Sequence, residues 1–324
     1  MHTHLQDSGH REKPVNTEKT RAYIKLLRFG SWQGWLFNFA LGSILFATPE
    51  IDHLLLVLLS FSLATSAVFI LNQIIDQKND RENNLKKDLP LASDKVSPRS
   101  ALILFFSFSI ISLTVAFIAS LSLFLLLLAY QVLWIGYSAP PFCFKNRPTM
   151  DLVVCGVGSG VLPFLIGLQV SQQLTLDFAY PWMIRRYQDA LLTAIPLFLV
   201  QAAGQVFQVV GDYHADLAAG INTFAVKFGK RTSLKLANTL LILMLTLPVV
   251  YELLNLSLTP YLQWYLIALA IAIPILLYLM HTLKDASEDR FKKLRSVSDR
   301  VGGAVLLILF VYLLVVKLVL TNVV

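Results

Sequence analysis

Long apolar runs separated by short polar loops dominate the sequence. The chain contains nine runs of about 20 residues, which is the length that an α-helix needs to cross the hydrocarbon core of a bilayer. They lie at roughly 31–48, 54–75, 101–119, 121–138, 152–170, 190–211, 234–253, 261–281 and 301–321, with a tight turn near Ser120 between the third and the fourth. This pattern predicts an all-α, polytopic membrane protein with nine transmembrane helices.

The composition supports a membrane location. The 324 residues are 56% hydrophobic and only 15% charged, whereas a soluble domain carries about 25% charged residues. Residues 1–20 are polar and are predicted to form a mobile tail without a cleaved signal peptide, which leaves 21–324 as the membrane domain. Cys143 and Cys155 are too few and too isolated to indicate a disulfide framework or a zinc site.

The basic residues alternate between loops and predict the topology. Of the 27 Lys and Arg residues, 24 lie in the N-terminal tail and in the second, fourth, sixth and eighth loops; the others are Arg185, Arg186 and Lys317. By the positive-inside rule, the N-terminus and these loops are cytoplasmic and the C-terminus lies on the opposite side. The net charge of +7 therefore indicates topology rather than nucleic-acid binding.

Two acidic clusters close the second and sixth runs on the same predicted side of the membrane. Asn72, Asp76 and Asp80 recur every four residues and so lie along one stripe of a helix, and Asp212 and Asp216 repeat this spacing. Clusters of like charge repel unless a cation lies between them. Carboxylate and amide oxygens suit Mg²⁺, which commonly takes phosphate oxygens as further ligands. The two motifs together predict a Mg²⁺-diphosphate site, although a single DxxxD is also typical of a solvated helix end.

At these residues the sequence resembles the UbiA superfamily of intramembrane prenyltransferases. The motif N-x-x-x-D-x-x-x-D after helix two is matched at 72–80, D-x-x-x-D after helix six at 212–216, and the following G-x-x-(S/T)-x-x-x-x-x-G at 220–229. The loop from Tyr137 to Lys145 resembles the family's Tyr…Lys loop, and Arg28 matches its basic residue before helix one. The resemblance covers residues 22–321 and implies nine helices around a central cavity.

The sequence also departs from the usual pattern of the superfamily. Asn72-Gln73 and the run Leu-Pro-Leu-Ala-Ser at 89–93 are similar to homogentisate prenyltransferases and chlorophyll-synthase-like members. Asp94 stands where Gly is usual, and Phe29 stands where Pro is usual. These differences leave the activity class intact and the acceptor open.

The resemblance implies Mg²⁺-dependent transfer of an isoprenyl group from a prenyl diphosphate to a small acceptor, with release of diphosphate. An aromatic acceptor such as a phenolic or quinone precursor is favoured, and a chlorophyllide-like alcohol or a carotenoid is the alternative. The predicted metal ligands are Asn72, Asp76, Asp80, Asp212 and Asp216. The four aspartates and Tyr137, whose ring would stabilise an allylic cation, are the predicted catalytic residues. The residues predicted to bind the diphosphate are Asn72, Arg28, Arg81, Lys145 and Lys227.

Two other functions fit part of the pattern. A transporter would also carry charges in its helices, but near the membrane midplane on broken helices rather than at helix ends on one side. A terpene-cyclising member of the superfamily would share the metal site and need no acceptor. Beyond the prenyl diphosphate, the acceptor and the lipid bilayer, the sequence predicts no nucleic-acid or protein partner.

Overall fold

The computed structural model describes residues 15–45, 50–83, 86–171 and 181–256, which within these ranges fold into helices without a strand. The helices are α1 (Val15–Leu26), α2 (Gln33–Leu45), α3 (Ile51–Glu82), α4 (Pro98–Ala119), α5 (Leu121–Ser138), α6 (Met150–Cys155), α7 (Leu162–Leu168), α8 (Pro181–Gly211), α9 (Tyr213–Ala218), α10 (Phe224–Phe228) and α11 (Lys230–Leu253). The all-α class is confirmed for this part of the chain. The predicted spans 261–281 and 301–321 lie outside the described residues, so the number nine stays a prediction.

Five helical segments of the described chain are long and apolar enough to cross a membrane. They are Ile51–Glu82, Pro98–Ala119, Leu121–Ser138, Met150–Leu168 and Gln188–Gly211, which correspond to predicted runs two to six. On α4, Ile103, Ile110 and Phe117 are 67%, 62% and 63% exposed. Their spacing of seven residues places them on one side of the helix. Such an exposed apolar stripe is what a helix facing lipid presents.

α1 begins before the predicted membrane domain. It takes up residues 15–20 of the predicted polar tail, and residues 1–14 lie outside the described part of the chain. Ala22 and Leu26 of α1 are buried in a cluster with Ile70 of α3 and Leu91 of the loop that follows α3. α1 therefore covers the end of α3 from which the first acidic motif projects.

Ser120 separates α4 from α5 at the predicted position. Its backbone is extended, with φ −167° and ψ 151°, and its N–H donates to the carbonyl of Ala116 at 2.9 Å. Its Oγ accepts a hydrogen bond from the backbone N–H of Leu123 at 3.1 Å. One residue thus ends α4 and caps the N-terminus of α5, which allows two long helices to follow each other without a loop.

The fifth predicted run is not a continuous α-helix, because the π-helical segment Gly156–Val161 lies between α6 and α7. Its glycines allow close approach by neighbouring helices. A Cβ added to Gly158 would lie 2.8 Å from the Trp134 ring, and one on Gly160 would lie 2.7 Å from the carbonyl oxygen of Leu197. No side chain fits at either position, so the sequence of this segment is set by its packing.

The π-helical segment also supplies backbone carbonyls to other helices. Its wider turn changes the i→i−4 hydrogen-bond pattern of an α-helix. The Gly158 carbonyl accepts from Trp134 Nε1 of α5 at 3.3 Å, and the Ser159 carbonyl accepts from Asn38 Nδ2 of α2 at 2.8 Å. These bonds tie α2 and α5 to the centre of the bundle.

α2 and α7 cross with their backbones in contact. A Cβ on Gly42 would lie 2.1 Å from the carbonyl oxygen of Phe164, and one on Gly167 would lie 2.0 Å from that of Phe39. Real Cβ atoms do not approach a carbonyl oxygen this closely, so glycine is required on both sides of the crossing. This backbone contact joins α2 to α7.

The second acidic motif lies at a break between α8 and α9. Asp212 separates the two helices with φ −88° and ψ 4°. The N–H of Asp216 still donates to the carbonyl of Asp212 at 2.8 Å, so the two carboxylates keep helical i,i+4 spacing. Gly220, with φ 68°, then turns the chain towards α10.

Candidate active site

The last turns of α3 carry the first acidic motif. Asn72 Nδ2 donates to Asp76 Oδ2 at 2.9 Å and to Ser138 Oγ, at the end of α5, at 3.2 Å. The amide therefore orients the carboxylate and ties α3 to α5. Asp80, one turn further along α3, is buried, and a buried carboxylate requires compensating charges or hydrogen bonds.

Two predicted cations meet the first motif. Lys145 forms an ion pair with Asp76, and both side chains are mostly buried. Lys145 and Arg28 are also near enough to Asp80 for their charges to stabilise its carboxylate. Arg28 adopts a left-handed conformation with φ 54°, and its guanidinium lies 5.4 Å from the centre of the Phe69 ring. The structure thus brings together the first motif, Arg28 and Lys145, and their roles in binding diphosphate stay predictions.

Lys86 connects the first motif to the second. Its Nζ lies 3.4 Å from Asp212 Oδ2, and its charge also stabilises the carboxylates of Asp80 and Asp216. One ammonium group therefore lies between the two acidic motifs, which places them in a common site. Sequence reasoning assigned Lys86 only to the basic loop. Its partner Asp212 is 126 residues away, so no local pattern in the sequence indicates this contact.

Asp216 lies outside the membrane-spanning segments and has a perturbed pKa. Burial raises its pKa most, the neighbouring Asp212 and Asp151 carboxylates raise it further, and Lys86 and the Thr223 hydroxyl lower it; the result is a pKa of about 7. Like charges near one another disfavour ionisation. Asp216 must therefore lose a proton near neutral pH before it can bind a cation.

Asp151 is a functional candidate that sequence reasoning missed. It is fully buried, and its carboxylate accepts from the N–H of Leu152 at 2.9 Å and from that of Phe224 at 3.4 Å. Phe224 begins α10, whose N-cap residue Thr223 does not cap the helix with its own side chain. The Thr223 hydroxyl lies close enough to Asp216 to lower the pKa of its carboxyl group. Asp151, the second residue of α6, thus caps α10 from a separate helix; an Asp that opens an apolar run is the only signal of it in the sequence.

Tyr137 lies near the acidic motifs at the end of α5. Its hydroxyl accepts a hydrogen bond from Gln205 Nε2 at 3.1 Å, and the thiol of Cys155 lies nearby. Its ring packs edge-on against Trp134 with 5.2 Å between ring centres. Asp76 is close enough to act electrostatically on the hydroxyl. The predicted aromatic residue is therefore at the site, and Gln205, which sequence reasoning missed, fixes its orientation.

Two predicted diphosphate ligands have other partners in the structure. Arg81 forms an exposed ion pair with Asp94. Asp94 has φ 56°, a conformation that favours glycine, and the ion pair helps to hold a non-glycine residue there. Lys227 is exposed, with its Nζ 5.4 Å from the centre of the Phe228 ring. Neither cation joins the network around Lys86, and their roles in binding diphosphate stay predictions.

The oxygen ligands of both motifs fit Mg²⁺ by their chemistry. Within ranges 15–45, 50–83, 86–171 and 181–256, however, no group of three or more His, Cys, Asp or Glu side chains is close enough to hold a metal ion by itself. Mg²⁺ usually retains waters and takes substrate phosphate oxygens besides one or two carboxylates. The donor set therefore fits an ion that completes its coordination with water and diphosphate.

Comparisons with known proteins identify related sequences and a related fold. The model of the UbiA prenyltransferase family matches residues 36–298. A 2-acylphloroglucinol 4-prenyltransferase of Humulus lupulus is 29% identical over 203 residues, which cover 61% of this chain and 47% of that enzyme. A 4-hydroxybenzoate octaprenyltransferase of Vibrio atlanticus is 27% identical over 227 residues, which cover 65% and 71%. The chain thus spans about half the length of the plant relative.

One further relative and one solved structure extend the comparison. A lycopene elongase/hydratase of Corynebacterium glutamicum is 29% identical over 230 residues, which cover 70% of this chain and 76% of that protein. The structure of a UbiA homolog from Archaeoglobus fulgidus bound to GPP and Mg²⁺ has a TM-score of 0.68 and 23% identity, and covers 89% of this chain and 99% of that one. At this identity the likeness shows the fold.

Proposed function

The chain belongs to the UbiA prenyltransferase family, and from this premise we propose that it transfers an isoprenyl group from a prenyl diphosphate to a small acceptor inside the membrane, using Mg²⁺. The observation that carries the proposal is the position of Lys86, which contacts Asp212 and also acts on Asp80. It joins the two acidic motifs at one place beside Tyr137. A transporter would not need carboxylates gathered with cations at helix ends.

The cations of the site would bind the donor. Lys86, Lys145 and Arg28 can give charge-assisted hydrogen bonds to diphosphate oxygens, and in doing so Lys86 and Lys145 would release Asp212 and Asp76. Mg²⁺, held by the two motifs when bound, would act as a Lewis acid that neutralises charge on the departing diphosphate. The solved structure of a related protein with GPP and Mg²⁺ supports this ligand pair.

The transfer itself requires a protected allylic cation. The C–O bond of the donor breaks and its electron pair leaves with the diphosphate. A carbon of the acceptor then gives an electron pair to form the new C–C bond and afterwards loses its proton to water or diphosphate. The face of Tyr137 can stabilise the cation by about 0.5–2 kcal/mol. The apolar bundle excludes water that would otherwise capture it.

An aromatic acceptor is supported by two of the relatives. Their names specify 4-hydroxybenzoate and a 2-acylphloroglucinol as substrates, whereas that of the third specifies lycopene. The charge distribution of the loops supports a topology in which the N-terminus and the acidic motifs are cytoplasmic and the C-terminus lies on the opposite side.

A transfer assay in membranes tests the proposal. Membranes containing the protein are incubated with labelled geranylgeranyl diphosphate and an acceptor panel that includes 4-hydroxybenzoate and homogentisate, with and without Mg²⁺. We expect Mg²⁺-dependent prenylation that falls by roughly 10²–10³ in Asp76→Ala and Asp212→Ala, since each removes a stabiliser of the developing charge. Asp52→Ala, at the opposite end of α3 and exposed, is the matched control and should retain activity.

The alternatives give different results in the same assay. Diphosphate release that needs no acceptor would indicate a terpene-cyclising enzyme. Substrate flux that needs no Mg²⁺ and survives Asp76→Ala would indicate a transporter. Prenyl transfer that survives both aspartate substitutions would remove the catalytic assignment.

A further inference from the structure

A line of glutamine side chains runs along one side of α8 within its apolar span. Gln201, Gln205 and Gln208 are spaced by four and three residues, and Asp212 follows after four more. At 100° per residue, the four positions fall within an arc of about 60°. The surrounding segment Gln188–Gly211 is apolar enough to cross a membrane. The glutamine stripe, defined as Gln201, Gln205 and Gln208, thus leads from the second acidic motif into the bundle.

The glutamine stripe faces the interior of the protein. Gln205 Nε2 donates to the hydroxyl of Tyr137 on α5 at 3.1 Å. Gln201 Nε2 lies 3.2 Å from the position that a Cβ on Gly34 of α2 would take. Two different helices of the bundle therefore meet this side of α8, and one of the contacts is with the aromatic residue of the site.

Open space lies beside the glutamine stripe. No described atom lies within 4 Å of a Cβ added to Gly204, and both Gly204 and Gln208 are exposed. Ile195, at 44% exposure, belongs to an apolar exposed side of α8. Ile195 precedes Gly204 by nine residues, which is two and a half turns and places them on opposite sides of the helix. The opening at Gly204 therefore lies on the other side of the helix from Ile195.

The depth of the glutamine stripe suits the second substrate. At a rise of 1.5 Å per residue, Gln208 lies about 6 Å and Gln205 about 10 Å along the helix axis from Asp212. A molecule held there would lie next to the first carbons of a prenyl chain whose diphosphate is at Asp212. It would also contact Tyr137, which Gln205 orients.

The chemistry of the glutamine stripe selects between classes of acceptor. Each amide offers two N–H donors and a carbonyl acceptor, and polar groups in an apolar span lose free energy unless they are paired. Hydroxyl and carbonyl groups of a ligand would pair with them, whereas a hydrocarbon polyene would displace water and leave unpaired the amide groups that Tyr137 does not bind. A site of this kind discriminates strongly against a ligand that lacks the matching polar groups.

Building on the proposed function, we propose that the glutamine stripe is the acceptor site and that it selects an oxygen-bearing aromatic acceptor over a hydrocarbon polyene. The amides bind the hydroxyl or carbonyl groups of the ring and hold a ring carbon towards the donor. Specificity for the acceptor would thus depend on the glutamine stripe, and not on the acidic motifs or the diphosphate-binding cations.

Steady-state kinetics of stripe variants test the proposal. Gln205→Met and Gln208→Met keep the length of the side chain and remove the amide; both are compared with wild type for 4-hydroxybenzoate, homogentisate and lycopene as acceptors. We expect the KM for the best phenolic acceptor to rise at least five-fold in each variant, with the KM for geranylgeranyl diphosphate changed less than two-fold. Thr193→Val is the control, because Thr193 lies on the same helix and donates to the backbone of Asp189.

The readouts separate the possible failures. Partial misfolding lowers the active fraction and hence kcat, but it leaves the KM of the remaining enzyme unchanged. An unchanged acceptor KM in both variants, or a wild type that prefers lycopene, would overturn the proposal that the glutamine stripe is the acceptor site. The proposed function would still stand in that case if the wild type released diphosphate from the donor in a Mg²⁺-dependent reaction. A wild type without any Mg²⁺-dependent cleavage of the donor would overturn both.

Discussion

Replacing Lys86 by Met should make the site bind a divalent metal more tightly on its own and diphosphate less tightly. In the structure the Lys86 ammonium is hydrogen-bonded to Asp212, which is one of the proposed metal ligands. A metal ion that binds Asp212 must displace this ammonium, whereas a bound diphosphate would draw the ammonium away and free the carboxylate. Lys86 therefore couples the two ligands.

The size of the effect follows from the ion pair. Its N–O distance is 3.4 Å, with the Asp212 side chain nearly buried and that of Lys86 partly exposed. A partly exposed pair of this kind contributes up to about 1 kcal/mol, which corresponds to roughly five-fold in affinity. The metal alone should thus bind about five-fold more tightly to Lys86→Met. Loss of one charge-assisted hydrogen bond should weaken diphosphate binding by roughly ten-fold or more.

Mn²⁺ binding provides the assay, because Mn²⁺ shares the preference of Mg²⁺ for oxygen ligands and its free form is quantified by electron paramagnetic resonance. Purified wild type and Lys86→Met are titrated with Mn²⁺, with and without inorganic diphosphate. Lys95→Met serves as the control, since Lys95 is an exposed lysine of the same loop. An affinity for Mn²⁺ alone that is unchanged or lower in Lys86→Met would refute the competition at Asp212.

Three further predictions concern the pH dependence and the packing of the site. Because the pKa of Asp216 is about 7, protons should compete with the metal, and the apparent Mg²⁺ affinity should rise up to ten-fold per pH unit below pH 7 and level off above pH 8. Thr223→Val removes a group that lowers this pKa, so the pH at which the Mg²⁺ affinity levels off should be higher in this variant. Gly42→Ala should lower the free energy of unfolding by at least about 1–3 kcal/mol, because its Cβ would meet a backbone oxygen at 2.1 Å. Gly204→Ala is the control: with no described atom within 4 Å of its Cβ, it should raise the free energy of unfolding by up to about 1 kcal/mol. Equal melting temperatures of the two variants in detergent would contradict the described crossing of α2 and α7. Asp151→Ala should destabilise by about 1–3 kcal/mol, because the backbone N–H of Phe224 loses its acceptor, whereas that of Leu152 keeps the Thr149 carbonyl. Asp151→Asn retains an acceptor oxygen and should melt closer to wild type, so equal losses in both variants would argue against the capping role.

Hydropathy and spacing predict the features that depend on local sequence. The break at Ser120 follows from a capping residue between two apolar runs, and the order of Asn72, Asp76 and Asp80 along α3 follows from helical periodicity. The polar tail illustrates the limit of this reasoning. Composition alone does not show that α1 begins at Val15, because its stability depends on the packing of Ala22 and Leu26 against α3.

The choice among cations depended on tertiary contacts and could not be made from the sequence. Arg81 and Lys86 belong to one predicted basic loop, yet Arg81 pairs with Asp94 and Lys86 reaches Asp212 at the break between α8 and α9. The decisive fact is where the loop folds back, which is a property of long-range packing. Asp151 was missed for the same reason, since its partner Phe224 is 73 residues away.

The π-helical segment between α6 and α7 fixes how α6 is rotated about its axis relative to α7. Each residue in an α-helix adds 100° of rotation, so shortening Gly156–Val161 by one residue would turn α6 by about that angle relative to α7. Gly167 would keep its place against α2 while Asp151 swung away from the start of α10. The extra residue of the π-helical segment therefore sets the rotation of α6 about its axis. That rotation decides whether the Asp151 carboxylate, at the far end of the same span, reaches the backbone N–H of Phe224.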